Sequence, residues 1–82
     1  MDKPFLEVDS SMISGIRHGG LTAKQMQVRF QPNKKTGEAA IYEYDNVPYE
    51  TYLEIVNAES VGGEFHRLVR SNPLSHPFKK VN

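Results

Sequence analysis

Two tyrosines set two residues apart, Tyr42 and Tyr44, are the side chains best suited to ligand chemistry in this chain. In an extended strand, residues two apart point to the same face. The pair therefore stands on one side of a sheet. There it either packs a core or offers a platform to unpaired bases, each stacked base worth roughly 1–3 kcal/mol. A nucleic-acid ligand would also need cations for its phosphates. The candidates are Arg29, Lys34 and Lys35, on or just beyond the preceding strand, and Arg67 and Arg70. The last two lie three apart on a predicted helix, which makes them neighbours on its surface. The competing reading of these cations is a solvated face, with Arg70 paired to Asp45 or Glu43.

Other combinations carry less. His18, His66 and His76 are scattered and lack ligand spacing, so no metal is expected. Ser10 or Ser11 could be combined with His66 and an acid, but neither serine sits in a nucleophile motif. Each is better suited to satisfying backbone groups where a strand begins. Gly62 and Gly63 precede a helix, as in anion-binding loops. The lysine and glycine spacing of a phosphate loop are missing, and Glu59 and Glu64 flank the pair. Close packing or a helix start is the better reading. The expectation is a non-enzymatic binding module without catalytic residues, metal or cofactor.

The elements that must position these side chains follow from the apolar pattern. Residues 1–8 form an extended lead-in in which Phe5 and Val8 can pack. Met12 to Arg17 reads as a short strand, with Met12, Ser14 and Ile16 on one face and Ile13 on the other. His18-Gly19-Gly20 is a turn signal. Gln25 to Gln31 alternates cleanly, Met26, Val28 and Phe30 against Gln25, Gln27, Arg29 and Gln31, as a half-buried strand does. Pro32 to Gly37 has turn chemistry throughout, and Glu38 to Asn46 is the third strand.

A helix pattern follows. Pro48 suits a first turn, where its missing N–H would have no partner, and Glu50 complements the helix dipole. Tyr49, Tyr52, Leu53 and Val56 recur at helical spacing and predict a buried stripe running to about Ala58. Ser60 can cap a second helix with Phe65, Leu68 and Val69 as its apolar face, ended by Ser71-Asn72-Pro73. The expected fold class is α+β: a three-stranded antiparallel β-meander followed by two short α-helices packed on one face. Residues 1–82 make a single domain, with a core of about 8–70 and an irregular tail at 71–82.

Strand register decides what the tyrosines do. With Phe30 opposite Ala40, Val28 faces Tyr42 and Met26 faces Tyr44, and all of them share the core face. The other face is then Gln25, Gln27, Arg29, Ile41 and Glu43. A slip of one residue would move the tyrosines to the open face beside Arg29. The first register buries more aromatic area in a domain short of core, and is preferred for that reason.

The chain has equal numbers of basic and acidic residues, ten of each, which argues against a bulk nucleic-acid binder but leaves room for a local patch. The charges are segregated. Residues 36–66 hold seven acids and no Lys or Arg, while the flanking stretches hold all the cations. No cysteine is present, which removes disulfides and thiolate metal sites. No apolar run approaches a membrane span and the first residues do not read as a signal peptide, so a cytoplasmic location is expected.

The ordered set of residues resembles the KTSC domain, a small bacterial and phage-associated module named for the C-terminus of some lysyl-tRNA synthetases. The resemblance rests on Val8-Asp9-Ser10-Ser11-Met12-Ile13, Met26-Val28-Phe30, and Tyr42 and Tyr44 running into Val47-Pro48. It continues through Tyr52, Ala58, Ser60, Gly62 and Phe65 to Val69-Arg70. Three stretches depart from the pattern. Ile16-Arg17-His18 replaces an aromatic-plus-acid turn entry, the loop from Gln31 to Gly37 is longer than a tight hairpin, and the residues after Asn72 are idiosyncratic. The resemblance implies the fold and suggests RNA binding, to single-stranded RNA or tRNA. The alternative is an adaptor or accessory module whose partner is a protein, met through a sheet edge, the acidic middle or the tail.

Overall fold

A computed structural model describes residues 3–82. Five strands lie side by side in chain order, each antiparallel to the next. They are β1 (Leu6–Glu7), β2 (Ile13–His18), β3 (Met26–Phe30), β4 (Ile41–Tyr44) and β5 (Phe78–Lys80). Between β4 and β5 come α1 (Tyr49–Val56) and α2 (Val61–Phe65), and α2 continues into a π-helical turn, His66–Arg70. The α+β class, the antiparallel meander and the two helices agree with the sequence pattern. The strand count does not, because the sheet has five strands rather than three. The two additions are the sheet's edges, two and three residues long and exposed throughout. Strands that short and that exposed carry no alternation to read.

The β3–β4 register is the preferred one. Val28 pairs with Tyr42 and Met26 with Tyr44, and the Phe30 N–H donates to the Ala40 carbonyl at 2.9 Å. On this face Ile13, Ile16, Met26, Val28 and Tyr44 meet Val47, Ile55, Val61, Phe65 and Val69 in one core. Ile13 and Ile16 are both fully buried, although strict alternation puts them on opposite faces. A β-bulge resolves the conflict: the ladder pairs Ile13 with Phe30 but Gly15 with Arg29, leaving Ser14 as an extra residue. The extra residue turns Ile13 inward. Ser14 spends its hydroxyl on the Arg29 and Phe30 carbonyls, at 3.2 and 3.3 Å.

Asn46 adopts φ 58°, the left-handed turn that ends β4. Pro48 is then the extended N-cap residue of α1. The helix buries Ile55, with Tyr52 and Val56 packed beside it, while Leu53 is 38% exposed. The expected stripe through Leu53 is therefore corrected to one through Ile55. In a helix of only two turns, Tyr52 and Val56 belong to either stripe. The tie goes to Ile55 because Tyr49 and Tyr52 lean toward the His18 end of the sheet. His18 is buried there, with its ring 5.5 and 5.6 Å from theirs. The His18 Nε2–H donates to the Val47 carbonyl at 2.6 Å, and Nδ1 accepts from the Gly20 N–H at 3.0 Å. Those two partners define a neutral tautomer.

Ser10 does what a strand-start serine is expected to do, its Oγ accepting from the Met12 and Ile13 N–H groups. Ser60 caps α2 by accepting from the Gly63 N–H at 3.1 Å. Gly62 permits close packing, since a Cβ there would lie 3.2 Å from Met12 Cε. Among the described residues no helix is long and apolar enough to cross a membrane.

Candidate binding groove

The helices do not cover the whole inner face of the sheet. Beyond the π-helical turn an open groove of about 600 Å³ runs over β3 and β4. The strands contribute Phe30, Tyr42 and Tyr44, and the stretch ahead of β2 contributes Ser11 and Met12. Val69 and Arg70 enter from the π-helical turn, and Pro73, His76 and Phe78 from the tail. Among the described residues neither Asp nor Glu lines it.

Five aromatic rings close on one another at this place. Phe30 meets Tyr42 edge-on at 5.8 Å, Tyr42 meets Phe78 at 5.9 Å, and Phe78 meets Tyr44 at 5.6 Å. Tyr44 meets Phe65 at 5.2 Å, and Phe65 returns to Phe30 at 6.1 Å. Centroid spacings and tilts of this kind are the favoured aromatic geometries. Phe65 is fully buried and anchors the ring to the core, whereas Phe78 is 55% exposed. The register puts both tyrosines on the core face, and both also line the groove.

Polar groups share the lining with the rings. Burial raises the Tyr44 phenol above its ordinary value, with the positive charge of Arg70 pulling the other way. At neutral pH its hydroxyl is therefore a hydrogen-bond donor. Gln31 spends its amide N–H groups on the Ser10 and Ile13 carbonyls, at 2.9 and 3.3 Å, which leaves Oε1 as an acceptor. His76 Nδ1 donates to the Asp45 carbonyl at 3.1 Å, leaving Nε2 unused by that bond. Arg70 forms no ion pair among the described residues; its Nη1 sits 3.4 Å from Met12 Sδ. Neither Asp45 nor Glu43 pairs with it, contrary to the solvated-face reading.

The other candidate cations lie elsewhere. Arg29 points to the opposite face, where it pairs with Glu7 and donates from Nε to Ser14 Oγ at 2.9 Å. Lys34 and Lys35 sit in an exposed turn organised by Asn33, whose Oδ1 accepts from the Lys35 N–H at 2.8 Å. Arg67 makes a two-pronged pair with Glu64, at 2.8 and 3.0 Å. This pair holds the Glu64 carboxyl below its usual value. Arg67 and Arg70 lie on a π-helical turn rather than on the α-helix that the sequence predicts. The turn bonds i→i+5, as in Ser71 N–H to the His66 carbonyl at 2.9 Å. The fold therefore gathers Tyr42, Tyr44 and Arg70, and disperses Arg29, Lys34, Lys35 and Arg67.

The opposite face is a polar ladder. The Arg17 Nε–H donates to Gln27 Oε1 at 2.7 Å, Gln27 Nε2 donates to Glu43 Oε1 at 3.0 Å, and Lys79 Nζ lies 3.7 Å from Glu43 Oε2. The Arg17 and Arg29 guanidinium groups both lie over the Phe5 ring, 4.2 and 4.9 Å from its centroid. Gly15 makes room for this cluster, since a Cβ there would lie 2.9 Å from Arg29 Nη2. The three histidines are far from converging on a metal: His18 is in the core, His66 is in the π-helical turn and His76 is in the tail.

Sequence reasoning did not anticipate His76, Phe78, Ser11 or Gln31 as groove residues. The aromatic at Phe78, next to two lysines and a proline, was the one available signal that the tail could pack. A family model described as KTSC domain matches residues 9–72. No curated protein matches the chain. The matched span holds β2 to β4 and both helices, and leaves β1 and β5 outside it.

Proposed function

Because the chain belongs to the KTSC domain family, we propose that it is a non-catalytic binding module that holds a short stretch of single-stranded RNA in the aromatic groove. One observation carries this reading: aromatic rings line a groove beside a cation that has no acidic partner, with no carboxylate in the lining, among the described residues. An unpaired base would stack on Tyr42 and Phe78. Its phosphate would meet Arg70, and its edge would find the Tyr44 hydroxyl and Gln31 Oε1. A duplex keeps its bases stacked inside, so a transfer RNA would be bound only at a loop or an end.

The number of phosphates held is small, because among the described residues one Arg and no Lys line the groove. Each phosphate contact on a single strand contributes about −0.7 to the slope of log affinity against log salt. The slope should therefore be shallow, near that of one or two contacts. Titration of fluorescent single-stranded oligonucleotides and of transfer RNA at several salt concentrations tests the reading. Weakening by Arg70→Ala, without weakening by Arg29→Ala or Arg67→Ala, supports it. An absence of salt-dependent binding at low ionic strength retires RNA in favour of a protein partner.

A further inference from the structure

The chain lays its own tail along the exposed edge of β4, and this contact has the form of a peptide ligand on a receptor. The Asp45 N–H donates to the Pro77 carbonyl and the Val81 N–H to the Ile41 carbonyl, both at 2.9 Å, and these main-chain bonds bracket β5. Opposite Tyr44 the tail places Phe78, whose ring rests on both groove tyrosines. Opposite Glu43 it places Lys79. Main-chain bonds along an edge, with alternate side chains entering separate sites, are the mode by which extended peptides add a strand to a sheet.

Two further observations say that this occupant is replaceable. β5 lies outside the residues 9–72 that the family model matches, and β4 is the last strand within that span. All three residues of β5 are exposed, and the apolar surface that its release uncovers is chiefly the contact of Phe78 with Tyr42 and Tyr44. Terminal segments held at the surface open more readily than core strands.

We propose that the β4 edge is a strand-docking site, that the tail is its resident intramolecular occupant, and that a partner protein's extended segment takes its place. The partner segment carries an aromatic residue for the Tyr42–Tyr44 site, followed directly by a lysine or arginine for Glu43. This goes beyond the RNA reading and does not depend on it.

The resident tail competes at an effective concentration in the millimolar range, as a short tether does. Loosening the tail must therefore strengthen binding in trans. The probe is a fluorescent peptide with the sequence of residues 73–82, titrated by anisotropy against the full chain. The Phe78→Ala protein should bind it at least about tenfold more tightly than the unaltered chain. A second variant, Glu43→Cys with Lys79→Cys, fastens the tail down. These positions are opposed in the ladder and face away from the groove, and the chain has no other cysteine. Its oxidised form should not bind the peptide, and reduction should restore binding. A peptide with alanine for phenylalanine should be at least tenfold weaker on every protein. The proposal is overturned if the Phe78→Ala chain binds no better than the unaltered one, or if the locked and reduced forms bind alike. RNA titration on the same proteins is read separately, so either proposal can fall while the other stands.

Discussion

The two faces of the sheet use their charges in opposite ways. On the open face Arg17, Arg29 and Lys79 are each engaged by a neighbour within the ladder or by Glu7. On the groove face Arg70 stands beside aromatic rings, with no carboxylate lining the groove among the described residues. The open face is richer in charge and the poorer candidate for a ligand, because a phosphate would have to displace bonds already made. A count of cations along a chain measures the supply of charge, and the cross-strand partners decide how much of it is free. Here the ladder residues are register mates on adjacent strands, so pairing is built in by the fold itself.

The largest effect that can test this contrast lies beneath it, in the core supporting the groove. Ile55→Ala should cost about 2–5 kcal/mol, as for other buried aliphatic truncations. That is a large share of the whole stability of a domain this size. Leu53→Ala, two residues earlier in the helix and 38% exposed, should cost clearly less. Urea melts of the two variants check both. Equal losses would mean that α1 is rotated from the orientation described.

That pair of residues also shows how far the sequence could be read. The alternation in β3 is unbroken and two-sided and predicts the two faces of that strand, and the greater aromatic burial predicts the β4 register. The helix stripe was under-determined, since two turns containing Tyr52, Leu53, Ile55 and Val56 allow two neighbouring phases. The bulge at Ser14 was hidden because nothing in Ile13-Ser14-Gly15 distinguishes an extra residue from an alternating one. Arg67 and Arg70 were read at α-helical spacing, which the π-helical turn does not keep. The tail was the largest omission. Its strand is held by main-chain bonds and the contacts of a single aromatic ring with Tyr42 and Tyr44, and neither leaves a periodic pattern.

Next in size is the effect of emptying the groove. Tyr42→Ala should weaken single-stranded RNA by about 1–3 kcal/mol, the value of one lost stacking partner. Tyr42 is only half-buried, so the fold should survive and a melt can confirm it. Tyr44→Ala reaches the core and should lower stability as well. Comparing the two separates a lost ligand contact from a lost fold.

A smaller effect sets the two faces directly against each other. Arg29→Ala removes its contacts with Phe5, Glu7 and Ser14 and should destabilise by about 1 kcal/mol, the scale of an exposed pair with one cation–π contact. RNA affinity should not change. Arg70→Ala should do the reverse, leaving the melt nearly unmoved while flattening the salt slope by about 0.7. If Arg29→Ala flattens the slope instead, the open face is the phosphate-binding one.

The smallest expected effect is alkaline, and it reads the environment of the groove phenol. Burial raises Tyr44 and Tyr52 above the ordinary phenol value of about 10. The unfolded chain therefore gives up these protons first as pH rises. Stability from these groups is fully present below about pH 10 and declines above it, as the folded phenols also begin to ionise. Urea melts across that range should show the decline, and Tyr44→Phe should make it shallower by removing one of the two groups. Arg70 opposes the effect of burial on Tyr44. Arg70→Ala should accordingly move the phenolate absorbance transition of Tyr44 to still higher pH. A transition unmoved by Arg70→Ala would mean that the cation does not lie over the groove, and would remove the phosphate contact on which the RNA reading depends.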